Sequence, residues 1–135
     1  RGSEVAILQL LALVVIFGAV GWLAFVAKVC LVRPERARAG LAAMGSTPAI
    51  QFGEHALRAL AGLAIVLRAE VSKAPLAFEA IGWFVVATSL LIVLLPRRWH
   101  HAYAVFWADR IPGWAFRIAS IPTMTGAGLL GFVAL

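Results

Sequence analysis

"QFGEHALRALAGLAIVL", residues 51–67, is the stretch on which the fold turns, because it places three polar residues beside a membrane-like run. Its cleanly apolar part, Ala59 to Leu67, rises only about 14 Å as a helix, less than half of a bilayer core of about 30 Å. The segment can cross only by extending back to Pro48, with Thr47 as N-cap and proline in the first turn. That helix carries Glu54 and Arg58 below the membrane surface, with Arg58 about 15 Å from its start.

The rest of the chain favours that extension. The 135 residues are 63% hydrophobic and 13% charged, whereas a soluble domain keeps roughly a quarter of its residues charged. Mean hydropathy is +0.96, and no soluble fold of this length covers so much apolar surface. We therefore expect one all-α integral membrane domain over residues 1–135. Four transmembrane helices, at about 5–30, 48–68, 75–95 and 114–135, form a small bundle. Short cytoplasmic interfacial helices are expected at about 34–44 and 97–110. "RGS" at residues 1–3 reads as a cloning remnant and is set aside.

"VAILQLLALVVIFGAVGWLAFVA", residues 5–27, is interrupted only by Gln9 and runs on to Lys28, too long for a cleavable signal. The third span opens at Pro75 and closes at Pro96. The fourth contains Pro122, expected to kink it, and Gly126, Gly128 and Gly131, expected to let helices approach closely.

Orientation follows from lysine and arginine. Lys28, Arg33, Arg36 and Arg38 follow the first span, and Arg97, Arg98, Arg110 and Arg117 follow the third; only Arg68 and Lys73 lie between the second and third. The positive-inside rule makes the first and third connections cytoplasmic and places both termini outside. Arginine and alanine richness suggests a bacterial cytoplasmic (inner) membrane. In "RRWHHAYAVFWADR" a step of about 100° puts Trp99, Tyr103, Phe106 and Trp107 on one flank, the pattern of a helix in the headgroup layer. The net charge of +6 is spread through these connections, so no nucleic-acid partner is expected. Cys30 is the only cysteine, which excludes an internal disulfide.

On a helical wheel Gln51, Glu54, His55, Arg58 and Gly62 share about 100° of arc. Glu54 and Arg58 stand four apart with the acid first, the order that favours an ion pair facing the protein interior. A binding or proton-handling site at Gln51, Glu54, His55 and Arg58 is the competing reading, because intramembrane ionisable residues are commonly functional. His100 and His101 fall at the same level and are candidate interfacial contributors. Two such histidines in a basic segment suit headgroup contact better than metal, and no metal or cofactor is expected. Glu79 reads as an outer-rim partner of Arg68 or Lys73. No nucleophile, phosphate loop or catalytic constellation is present, so the reading leans away from an enzyme and assigns no catalytic residue.

The size and four-span plan resemble, in layout alone, the small multidrug transporters, whose first-span acid is replaced here by Gln9. The function expected is binding of a lipid, a small molecule or a partner subunit through the polar intramembrane cluster. The alternatives are a small proton-coupled transporter or, third, a membrane-embedded enzyme. Membrane lipids are the expected partners, and a homo-oligomer is compatible with so small a chain.

Overall fold

The computed structural model describes residues 1–135 and is all-helical. In chain order it comprises α1 (Gly2–Val32), α2 (Pro34–Ala43), α3 (Pro48–Arg68), α4 (Pro75–Leu94), α5 (Arg97–Arg110) and α6 (Gly113–Ala134), with one 3-10 turn at Ala69–Val71 after α3. Four of these elements are long and apolar enough to cross a membrane: α1, α3 with its 3-10 turn, α4 and α6.

Local chemistry sets the helix starts. Prolines 34, 48 and 75 occupy the first turns of α2, α3 and α4, where a missing N–H costs nothing. Thr47 adds a side-chain cap, its hydroxyl accepting from the Ile50 amide at 3.1 Å. Gly45 has φ +69°, the left-handed conformation that lets the chain leave α2 and turn into α3. Pro122 lies inside α6, which continues through it to Ala134.

The spans pack as a row, α6–α1–α3–α4: α3 lies along α4, α1 lies along α6, and α1 joins the two pairs, while α4 has no comparable contact with α6. Only 22 of 135 residues are buried, so most apolar side chains face outward, as lipid allows. The closest approach is at Gly62 and Gly82. A Cβ on Gly82 would lie 2.8 Å from the Gly62 carbonyl oxygen and 2.9 Å from the Val66 nitrogen. Glycine on both helices is what brings α3 and α4 backbone to backbone. By contrast Gly113, Gly126 and Gly128 meet nothing within 4 Å; of the four α6 glycines only Gly131 packs, against Phe17 of α1.

The apolar core sits toward the α3–α4 hairpin, where Ala12, Ile16, Ala64, Ile65, Phe78 and Ala134 converge. Polar bonds close it. Gln9 donates to the Leu67 carbonyl at 2.9 Å and accepts from Arg68 at 3.2 Å. Arg68 also donates to the Ala134 carbonyl at 2.7 Å, and Lys73 to the Phe132 carbonyl at 3.1 Å. These cations thus serve the last carbonyls of α6, where the helix dipole favours positive charge. Neither pairs with Glu79, which is exposed: the single ion pair in the protein is Arg38–Glu35. The expected rim pair is therefore replaced by helix capping.

At the opposite end α2 and α5 pack on each other. Ala104 and Ala108 are buried, the Ala108 carbonyl accepts from Arg38, and Arg38 lies over the Phe116 ring of α6 at 5.4 Å. Trp99, Tyr103, Phe106 and Trp107 remain exposed on α5.

Candidate functional site

The polar residues of α3 separate into two groups. Gln51 and His55 are buried, at 3% and 7% exposure; Glu54 and Arg58 are half-buried. Glu54 and Arg58 form no ion pair, which corrects the expectation of an internal pair. The favourable four-residue spacing is present, but spacing permits contact without enforcing it.

Gln51 ties three elements together. Its Nε2 donates to the Ile92 carbonyl near the end of α4 at 3.1 Å, so its Oε1 is the acceptor facing His100 Nδ1 at 2.7 Å. His100 therefore carries its proton on Nδ1, and Nε2 is left as an unprotonated acceptor. Burial first, and then the charge of neighbouring His101, lowers the His100 pKa below the usual histidine value, which favours this neutral form.

His101 also has a partner within the protein. Its Nδ1 bonds the Met44 carbonyl at 2.9 Å, while Arg97 donates to the carbonyls of Gly45 at 3.0 Å and Ser46 at 2.9 Å. The start of α5 thus grips the α2–α3 turn. Gly45 is essential to the fit: a Cβ there would lie 3.1 Å from both His100 Nδ1 and the His101 backbone nitrogen. His100 and His101, expected as headgroup contacts, bond within the protein at these nitrogens.

His55 is the anomaly. Its ring lies 5.2 Å from that of His100, centroid to centroid and tilted by 58°, yet neither of its ring nitrogens has a hydrogen-bond partner and both are buried. Such a group forgoes about 1–3 kcal/mol of hydrogen bonding. No set of three histidine, cysteine or acidic side chains converges here as metal ligands would. What the arrangement offers is an imidazole with both ring nitrogens open to a partner, flanked in sequence by Glu54 and three positions later by Arg58.

The structure thus brings Gln51, His55 and His100 together, sets His101 one turn-contact away, and leaves Glu54 and Arg58 at the edge. Sequence reasoning missed Gly45, Gly82 and the Gln9–Arg68 link. Each had a local signal: a glycine just past a helix, two glycines about two turns from one hairpin, and a lone glutamine in an apolar run. The elements define an all-helical integral membrane protein. No family model, curated protein or solved structure matches the chain.

Proposed function

We propose that this is a bacterial inner-membrane protein that binds a membrane-resident ligand at the α3 cluster, with the α2–α5 end cytoplasmic and both termini outside. Four basic residues stand at or after the end of α1 and four more after α4, eight on that side against two in the α3–α4 hairpin. The exposed aromatic flank of α5 lies in the headgroup layer. The observation that carries the binding reading is His55: a histidine buried within a span with both nitrogens unpartnered, where lipid offers no polar group to compensate. A ligand hydroxyl, carbonyl or phosphate supplies the missing partner, and Arg58 adds a cation for an anionic group. Glu54 adds to the polar edge, and Gln51 holds His100 beside His55.

Mass spectrometry of the protein released from mild detergent tests this. A small molecule or lipid bound at defined stoichiometry is expected on the native chain, reduced at least tenfold on His55→Phe. Equal retention of every lipid by both chains overturns the assignment. Proton-coupled flux in proteoliposomes, lost with His55→Phe, would replace it with the transporter reading.

A further inference from the structure

A second feature shares only His100 with the α3 cluster. A groove of about 430 Å³ runs between α2, the end of α4 and α5. Ile92 and Leu95 form the part of its wall at the end of α4, Trp99, Tyr103 and Trp107 form an aromatic wall, and His100 borders it. The ring edge of His100 bearing Nδ1 is committed to Gln51, which leaves Nε2 as an acceptor without a protein partner. The remaining polar atoms on the lining side chains are the indole N–H groups and the Tyr103 hydroxyl, all neutral. Arg97 and Arg98, the nearest arginines in sequence, do not line the groove, and Arg97 is spent on the Gly45 and Ser46 carbonyls.

We propose that this groove binds a long-chain alcohol, with the hydrocarbon chain against Ile92, Leu95 and the tryptophans and the hydroxyl donating to His100 Nε2. Charge complementarity selects this occupant. A groove whose lining holds no charged side chain desolvates a carboxylate, phosphate or ammonium without compensating it. A hydroxyl loses little, because it donates to the imidazole and accepts from an indole or phenol. Continuity with the apolar flank of α4 lets such a molecule enter from the membrane, and aromatic side chains with a wet and an apolar end suit that boundary. His100 stays neutral because burial and His101 lower its pKa.

The test uses the full chain in nanodiscs with Trp22, Trp83 and Trp114 replaced by Phe, so that only Trp99 and Trp107 report. Quenching by ω-bromododecanol is expected to saturate and to be displaced by unbrominated dodecanol. Bromododecane and ω-bromododecanoate at neutral pH are expected to quench only in proportion to their membrane concentration. His100→Phe should weaken the alcohol about three- to tenfold, the value of one neutral hydrogen bond. If the three probes quench alike and none saturates in the unaltered chain, the proposal is overturned, whatever the variant does. His55→Phe separates the two sites: saturable alcohol binding is expected to survive it, and its loss would move the alcohol to the α3 cluster.

Discussion

Gln51 is 3% exposed and still bonds in two directions, to the Ile92 carbonyl and to His100. That double engagement makes it a fixed acceptor, and a fixed acceptor decides which nitrogen of His100 is protonated. The consequence is a pH dependence whose sign can be worked out. The folded-state pKa of His100 lies below the reference value of 6.5, so the unfolded chain takes up the proton first as pH falls. Stability from the neutral ring is therefore complete above about pH 6.5 and is lost on acidification toward the folded pKa. Melting in detergent between about pH 7.5 and 5.5 should show a falling midpoint, and His100→Gln should have a lower midpoint at neutral pH but a shallower slope. Parallel slopes for the two chains would show that His100 keeps its ordinary titration.

At the scale of elements, the α3–α4 hairpin is organised by two glycines placed about two turns from its bend, one on each helix. A methyl group on Gly82 would meet the Gly62 carbonyl oxygen and the Val66 nitrogen inside 3.0 Å, and backbone atoms cannot rotate away. Gly82→Ala should therefore force the helices apart and destabilise the fold by about 1–3 kcal/mol, as overpacking does. Gly126→Ala and Gly128→Ala, which face open space, should stay within about 0.5 kcal/mol of the native chain. Chemical unfolding from mixed micelles measures all three. An α6 substitution more harmful than Gly82→Ala would return the close contact to the "TMTGAGLLG" segment, where the sequence first suggests it.

The same comparison shows what was legible. Helix starts rest on local chemistry, so Thr47, Pro48 and Pro75 announce them without any tertiary information. Which glycine meets which helix does not, because in lipid the packed and exposed faces are equally apolar and periodicity falls silent. The candidate site divides in the same way. The wheel groups Gln51 and His55 correctly on one face, since a polar arc stands out in a span. It cannot show that α5 folds back to lay His100 against them. Nor can it show that Arg68 and Gln9, 59 residues apart in sequence, bind each other and not an acid.

For the whole molecule the row α6–α1–α3–α4 has one end held by cations on α6 carbonyls and the other covered by α2 and α5, themselves tied down by side-chain bonds. At the hairpin end Arg68 and Lys73 are held on α6 carbonyls, while at the other end Arg33 precedes α2, and Arg36 and Arg98 belong to α2 and α5. Cations spent on capping still count toward orientation, because insertion reads charge before the fold forms, and the bias remains eight to two. The α2–α5 end should therefore face the cytoplasm. With Cys30 replaced by Ser, single cysteines at Glu70 and Glu35, both exposed, place a reporter at each end. In intact inverted vesicles an impermeant maleimide should label Glu35→Cys and spare Glu70→Cys, and spheroplasts should reverse the pattern. Labelling of both sites in both preparations would mean mixed insertion, and the reverse pattern would turn the protein over. In that last case the His55 site would remain as described but open toward the outer face.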